Sequence, residues 1–398
     1  MKKSKKHIKG LLIAGIAMAA VFQTACAASS NSTETAAGTT ATESQTVSET
    51  TSSESTTEAK TSKEGKVTVT DMVGREVEIP EDADSFACIG AGALRYYCYV
   101  ADKDELAGIE QVETTWLPEG RPYSLSLGNV SDLPIIGQGG PQGSANADAL
   151  IAAEPDVILS MYNTDVSAAD ALQEQTKIPV VVLAYDDAIF SDVTYDALSL
   201  VGEVTGNEDK AEEVNTYLKS LEDDLKTRSK DAGDTPETYL GAINYKGTKG
   251  IVSTAGEYMP FDVLNVNNVA KKNGVKGTQT DIDKELLIEM DPECIFLDAA
   301  GLSNVEQDYT EFPEFYDGLQ AFKNDNVYLQ MPFKNYYNNI EVAIANAYYI
   351  GTVLYPEKFS DVDPGKKFDE ITEKLLGIKC YDSFEKTYGG FNKVKLGE

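Results

Sequence analysis

The chain has 398 residues, 65 of them acidic and 34 basic, which gives a formal net charge of −31 at pH 7. A charge this negative argues against binding nucleic acid or an anionic membrane surface through charge. The only histidine is His7, which lies in a segment we expect to be removed, so Ser-His-Asp and Cys-His catalytic arrangements and imidazole metal sites are excluded.

The N-terminal stretch predicts an export signal followed by a tether. Lysines precede an apolar run from Leu11 to Phe22, which is too short for a membrane-spanning helix and is typical of a signal peptide. We therefore predict a signal peptide at residues 1–25. Cys26 resembles the lipidated cysteine of bacterial lipoproteins, although Gln23 stands where that motif usually has leucine. Ordinary cleavage after Ala25 or Ala27 is the alternative. Residues 26–65 are rich in Ser, Thr, Ala and Glu, which predicts a disordered tether.

Residues 66–190 alternate short apolar strands with helices, which predicts a first α/β lobe with a mainly parallel sheet. The lobe opens with a predicted hairpin over 67–79. The predicted core strands cover 85–89, 106–109, 133–136, 157–160 and 179–184. The glycine-rich loop at 138–143 lacks a Walker lysine and the GxGxxG pattern, so we do not expect it to bind a nucleotide.

A long helix is predicted from Glu208 to about Lys230, within a helical spacer at 191–232. Asn207 is placed to cap its start, and basic residues near its end favour its C-terminal dipole. Its apolar residues recur every three or four positions and form a narrow stripe: Ala211, Val214, Leu218, Leu221 and Leu225. Residues 233–398 repeat the strand–helix alternation and form the second predicted lobe.

The two predicted lobes share a repeated segment. Asp148 lies seven residues before Pro155, and Glu285 lies seven residues before Pro292. In both segments a second acidic residue follows the proline, and an apolar strand follows in turn. Each segment therefore reads as a helix that stops at a proline and leads into a core strand.

Several stretches together resemble the substrate-binding proteins of ABC importers for iron-siderophore complexes, haem and vitamin B12. The resemblance covers about residues 66–392 and rests on Asp-x-x-Gly-Arg-x-Val at 71–77, the two proline segments, and the stretches at 200–206, 210–213 and 347–359. It implies an α/β fold of two lobes, each with a central, mainly parallel sheet flanked by helices. One long rigid helix joins the lobes in this class III periplasmic-binding-protein fold, a cleft lies between them, and hinge motion is small.

The resemblance also implies partners. A carboxylate on each lobe would dock an arginine pocket of the permease, and Asp148 and Glu285 occupy those places, although Asp148 stands where the family usually has glutamate. The implied partners are an ABC permease, its ATPase and a small metal-chelate ligand. We expect an extracytoplasmic, membrane-anchored monomer with no cofactor and no enzymatic activity. The acid pairs Glu212/Glu213 and Asp223/Asp224 are interpreted as solvated charge on the spacer helix.

Ligands of open α/β sheets bind at the carboxyl ends of the strands, and aromatic or cationic residues follow five predicted strands. Arginine forks bind carboxylate or oxyanion groups, and tyrosines pack against flat ligands while offering a hydroxyl. Arg95 and Tyr336 are the strongest candidates. The full set of candidate ligand contacts is Arg95, Tyr96, Trp116, Arg121, Tyr123, Tyr162, Tyr245, Lys246, Tyr336, Tyr337 and Asn338.

The aromatic candidates favour an iron complex of the siderophore or haem type, because an oxyanion site needs few aromatic residues and many N–H donors. A corrinoid, or molybdate or tungstate, remains an alternative ligand for the same fold. A ligand-sensing lipoprotein without a transporter is the alternative of another class, and a secreted enzyme is a further one.

Overall fold

The computed structural model describes residues 65–397 except Gln142, Asn163, Thr164 and Tyr245. The predicted signal peptide, Cys26 and almost all of the predicted tether therefore lie outside the described residues. The strands are β1 (Lys66–Thr70), β2 (Glu76–Pro80), β3 (Phe86–Ile89), β4 (Leu106–Glu110), β5 (Ile135–Gly137), β6 (Val157–Ser160), β7 (Val180–Val182), β8 (Thr238–Gly241), β9 (Ser253–Thr254), β10 (Thr280–Asp281), β11 (Cys294–Asp298), β12 (Val327–Gln330) and β13 (Asn392–Lys393).

The helices fill the segments between these strands. They are α1 (Ala93–Val100), α2 (Val112–Thr115), α3 (Pro122–Leu127), α4 (Ala147–Ala153), α5 (Val166–Thr176), α6 (Asp192–Thr205), α7 (Glu208–Ser229), α8 (Met259–Val263), α9 (Val269–Lys272), α10 (Lys284–Met290), α11 (Leu302–Glu311), α12 (Pro313–Gly318), α13 (Gln320–Lys323), α14 (Ile340–Leu354), α15 (Pro364–Leu376) and α16 (Tyr381–Tyr388). None of these described helices is both long and apolar enough to cross a membrane.

The first lobe is built on a five-stranded sheet in the order β5-β4-β3-β6-β7. All neighbouring pairs are parallel. Because β4 lies on one side of β3 and β6 on the other, the strand order reverses at β3. Loops that leave β3, β4 and β6 therefore diverge at the carboxyl edge, which is the usual ligand position in open α/β sheets.

The opening hairpin is tied to the first sheet by the Asp71–Arg75 motif. The Asp71 carboxylate accepts hydrogen bonds from the Arg75 amide at 2.8 Å and from the Arg75 guanidinium at 3.1 Å. The same guanidinium donates to the carbonyl of Val180 at 3.1 Å. Both side chains are buried, so this part of the family resemblance has a structural role: it fixes the hairpin against the edge strand β7.

The spacer helix α7 has 22 residues, and its predicted apolar stripe is buried. It packs against α6, α1, α14 and α8, and its sequence alone does not specify these partners. The Asn207 side chain does not cap the helix as predicted. Its amide instead donates to the carbonyl of Thr205 at 2.9 Å, so the side chain serves the turn that joins α6 to α7.

The second lobe is built on a four-stranded sheet in the order β13-β12-β11-β8. Strands β8, β11 and β12 are parallel, and the short edge strand β13 is antiparallel. In the repeated segments, the residue before each proline ends its helix in the left-handed region, Glu154 with φ 50° and Asp291 with φ 36°. The predicted fold class, two lobes with mainly parallel sheets flanked by helices and joined by a long helix, is confirmed.

Candidate functional site

One loop of the second lobe, residues 331–339 between β12 and α14, reaches the carboxyl edge of the first sheet. We call it the contact loop. Arg95 on α1 holds this loop by donating to the carbonyls of Asn335 at 2.9 Å and Tyr336 at 2.8 Å. The same guanidinium donates to the Asn339 side chain at 3.3 Å. Arg95 is 1% exposed. Its hydrogen-bonding capacity is therefore directed to the loop, and it fixes one lobe against the other.

Tyr336 of this loop forms hydrogen bonds with two residues of the first lobe. Its hydroxyl donates to the Glu110 carboxylate at 2.7 Å and accepts from the Gly140 amide at 3.1 Å. The Gly90 amide at the end of β3 donates to the other Glu110 oxygen at 3.2 Å. Burial raises the pKa of the Glu110 carboxyl, while the hydrogen bonds from Tyr336, Tyr162 and Gly90 oppose that shift.

Tyr162, which follows β6, completes this group. Its buried hydroxyl adjoins the Glu110 carboxylate and the Tyr336 hydroxyl. Burial, and next the adjacent Glu110 carboxylate, raise the pKa of Tyr162. We call Glu110, Tyr162 and Tyr336 the carboxylate cluster. It brings one acid and two phenols to the point where the strand order of the first sheet reverses.

An aromatic and ionic group adjoins the carboxylate cluster. Trp116 packs edge-on against Tyr336 with ring centroids 5.5 Å apart, and it is 36% exposed. Arg121 forms an ion pair with Glu113 and is fully buried. The Tyr123 hydroxyl donates to the same Glu113 carboxylate at 2.9 Å. Trp116 therefore presents a ring surface, whereas Arg121 and Tyr123 are buried and both bind the Glu113 carboxylate.

Tyr337 and Asn338 make the second set of contacts between the lobes. The Tyr337 ring stacks on Tyr185 with centroids 3.9 Å apart and an interplanar angle of 14°. The Asn338 amide donates to the carbonyl of Asp187 at 3.3 Å. Tyr336 and Tyr337 both have positive φ, 55° and 66°. Two consecutive bulky residues in this region are strained, so the contacts described above are what hold this loop in place.

Two predicted contacts among the described residues, Tyr96 and Lys246, are not brought into this group. Tyr96 is 2% exposed and packs in the first lobe's core, where its hydroxyl interacts with Thr194. Lys246 is exposed in the loop after β8, also at positive φ, 51°. Tyr245 lies outside the described residues.

The two predicted docking carboxylates take equivalent positions on the two lobes. Asp148 lies in the first turn of α4, and Glu285 lies in the first turn of α10. Both are exposed. Their helices lead into the corresponding core strands β6 and β11.

The sequence analysis missed Glu110, Glu113 and Tyr185. Glu110 is the last residue of β4 and only 3% exposed. An acidic residue that closes an apolar run was a usable signal, because a carboxylate is rarely buried without a partner. Tyr185 carries no such signal, since its contact with Tyr337 depends on how the two lobes meet.

A cavity of about 420 Å³ is lined by residues of the spacer helix α7 and of both lobes. Apolar side chains such as Phe190 and Tyr258 form part of its wall. Five carboxylates and one lysine also line it: Asp186, Asp187, Glu222, Glu257, Asp262 and Lys226. Within the described part of the chain, no group of three or more His, Cys, Asp or Glu residues could hold a metal ion.

Comparison with known proteins gives one family. Residues 125–332, just over half of the chain, match the sequence family described as periplasmic binding protein. A protein of Bacillus subtilis strain 168, the uncharacterized ABC transporter substrate-binding lipoprotein YvrC, is 21% identical over 185 residues. That match covers 46% of this chain and 57% of YvrC, so the chain spans little more than half the length of this relative.

Two solved structures share the fold. A periplasmic solute binding protein of Veillonella parvula superposes with a TM-score of 0.63 at 19% identity, over 81% of this chain and 97% of its own. The molybdate-bound periplasmic binding protein MolA of Haemophilus influenzae superposes with a TM-score of 0.60 at 19% identity, over 79% of this chain and 98% of its own. At this identity the two structures show a common fold and leave the ligand open.

Proposed function

The chain belongs to the periplasmic binding protein family, and on that premise we propose that it is the extracytoplasmic substrate-binding component of an ABC importer. In this proposal the protein captures an iron complex of the siderophore or haem type between its lobes and delivers it to a permease. The relationship to an ABC transporter substrate-binding lipoprotein supports the transport role. The residues where the lobes meet support the ligand class.

The observation that carries the ligand class is the aromatic lining between the lobes. Trp116, Tyr336 and Tyr337 lie at the carboxyl edge of the first sheet, and Trp116 and Tyr337 are 36% and 43% exposed. Exposed rings offer flat apolar surface to a planar ligand or to the organic shell of a chelate. The other predicted contacts are proposed to act around them: Tyr162 through its hydroxyl, and Lys246, Tyr245 and Asn338 from the second lobe.

Arg95, Arg121, Tyr123 and Tyr96 take a different place in the proposal. The first three are proposed to position the contact loop and Trp116, because their polar groups already bind protein partners. Tyr96 is proposed as core packing behind α1, since it is 2% exposed.

The test is retention of a coloured ligand by the full chain, purified in detergent. The protein is mixed with ferric siderophores, haemin or cobalamin, desalted, and examined by absorption spectroscopy. A retained visible band from an iron complex is expected. Trp116→Ala should weaken retention, whereas Phe312→Ala should not, because Phe312 is an exposed aromatic residue between α11 and α12. If cobalamin alone is retained, the proposed ligand class is a corrinoid and not an iron complex.

Molybdate is the second ligand to test, because MolA is a molybdate-binding protein of the same fold. A rise in the melting temperature with molybdate, and no retained colour, would replace the iron complex by an oxyanion. If the protein binds none of these ligands, the proposal that it serves an importer is contradicted. The ligand-sensing alternative is decided separately, by deleting the gene in the source bacterium and measuring uptake of whichever ligand is retained.

Anchoring through Cys26 is part of the same proposal. A lipid at this position would hold the body at the outer face of the cell membrane, where a permease is within reach. Cys26→Ser should release the protein from the membrane fraction, and intact-mass measurement should then show the loss of the acyl groups. An unchanged membrane association would contradict the lipid anchor.

A further inference from the structure

Glu110 is a buried carboxylate whose contacts do not include a cation. It is 3% exposed, and its partners are the Gly90 amide and the Tyr336 hydroxyl. Among the described residues it takes part in no ion pair. Because an uncompensated buried charge is unfavourable, a buried carboxylate without a cation at a ligand-facing sheet edge indicates a functional role.

Arg121, Arg95 and Lys334 of the contact region bind groups other than Glu110. Arg121 pairs with Glu113, and Arg95 donates to two backbone carbonyls and to Asn339. Lys334 donates to the carbonyl of Thr278 at 2.6 Å. Both arginines of the contact region are thus buried and bound to other protein groups, and neither pairs with Glu110.

Two backbone amides beside Glu110 that could bind an oxyanion are also occupied. The Gly90 amide donates to Glu110, and the Gly140 amide donates to the Tyr336 hydroxyl. An oxyanion that displaced Tyr336 would lie against the Glu110 carboxylate, with like charges in a partly desolvated site. A ligand with an ammonium or another cationic N–H donor would instead provide the counter-charge that Glu110 lacks.

We propose that Glu110 determines the charge class of the ligand: it selects a complex that presents a cationic hydrogen-bond donor to the carboxylate cluster, and it disfavours anionic complexes and oxyanions. This inference rests on the proposed ligand-binding function. On ligand entry the donor takes the place of the Tyr336 hydroxyl at the Glu110 oxygen. Tyr162, whose buried hydroxyl already adjoins the Glu110 carboxylate, then accepts or donates the second hydrogen bond.

The experiment uses three ligands with one ferric trihydroxamate core. Ferrioxamine B carries a free ammonium, its N-acetyl derivative is neutral, and its N-succinyl derivative is anionic. The chain has a single tryptophan, Trp116, which lies beside Tyr336, so quenching of tryptophan fluorescence reports binding next to the cluster. The full chain should bind ferrioxamine B about ten- to a hundredfold more tightly than the succinyl derivative, as for a charge-assisted hydrogen bond.

Glu110→Gln removes the charge while keeping the shape of the side chain. We expect this variant to reduce the preference for ferrioxamine B over the succinyl derivative to within about threefold. Glu76→Gln, at an exposed position of β2, makes the same change in net charge and should leave the preference unaltered. The wild-type measurement alone already tests the charge preference, so the inference does not depend on the folding of the variant.

Three results would overturn the inference: binding of the succinyl derivative at least as tight as that of ferrioxamine B, a preference that persists in Glu110→Gln, or no binding of ferrioxamine B. The proposed function survives each of them as long as the chain retains haemin, cobalamin or another of the ligands named above. It falls only if all of these ligands fail as well.

Discussion

Asp298 shows how a single residue at the edge of the second sheet responds to burial. It ends β11, is 3% exposed, and accepts hydrogen bonds from the amides of Ala300 at 2.9 Å and Asn244 at 3.4 Å. Burial raises its pKa from 3.8 to about 7, although these hydrogen bonds and nearby Lys334 act in the opposite direction. The folded protein therefore holds a proton on Asp298 over a pH range in which the unfolded chain has lost it.

This raised pKa predicts a pH-dependent stability difference. Below the unfolded pKa both states are protonated and the folded state bears no charge penalty; as pH rises towards about 7 the penalty develops and unfolding becomes easier. Asp298→Asn removes the penalty, so its free energy of unfolding relative to wild type should rise by up to about 4 kcal/mol between pH 4 and pH 8. Urea denaturation at several pH values measures this difference.

Asp223→Asn, at an exposed position of α7, is the control for the general effect of removing a negative charge. If the Asp298→Asn difference, measured relative to this control, does not change with pH, the raised pKa of Asp298 is wrong.

At the scale of single elements, α7 has the clearest relation between pattern and packing. Leu218 and Leu225 are fully buried, whereas Thr216 on the same helix is exposed. Leu218→Ala should lower the free energy of unfolding by about 2–5 kcal/mol, because it removes apolar contact and leaves a cavity. Thr216→Ala should have no effect or a slightly stabilising one, because alanine has the higher helix propensity. The two urea midpoints measure the contrast, and a Leu218→Ala loss below about 1 kcal/mol would contradict the packing of α7.

The elements that could be predicted are those whose signals are local. The α7 stripe and the two proline segments need only a few neighbouring residues to be recognised. No local sequence pattern predicts the orientation of α1. Seven of its eight residues are buried, because it packs against α3, α6, α7 and α15 at the junction of the lobes. The hydrogen bonds from Arg95 to the loop of the other lobe could therefore not be predicted from the sequence. Glu110 was missed for the complementary reason, since its partners Gly90 and Tyr336 are brought together only by the tertiary fold.

At the scale of the whole molecule, the lobes are tied together by buried polar contacts as well as by α7. The Tyr99 hydroxyl on α1 donates to the fully buried Glu341 carboxylate in the first turn of α14. Arg95 adds its hydrogen bonds to Asn335 and Tyr336. Separating the lobes would break these hydrogen bonds together, which favours the small hinge motion implied by the family resemblance.

With little relative motion of the lobes, the spacing between surface carboxylates would change little on ligand binding, and a permease could recognise a fixed pair. Asp148 and Glu285 suit this role, because both are exposed in the first turns of equivalent helices. The double variant Asp148→Ala/Glu285→Ala should bind ligand as wild type does, yet reduce uptake in the source bacterium by at least about tenfold, as loss of two charge-assisted contacts predicts. Fluorescence titration measures the first quantity, and ligand uptake by cells measures the second.

Glu289→Ala, exposed on the same helix as Glu285, is the matched control and should leave both quantities unchanged. A double variant that still supports full uptake would show that the permease does not recognise these two carboxylates. A double variant that loses binding and uptake together would place them in the ligand site, against the position of Asp148 and Glu285 on exposed helix starts. Only loss of uptake with intact binding assigns them to docking, because that combination separates recognition of the permease from capture of the ligand.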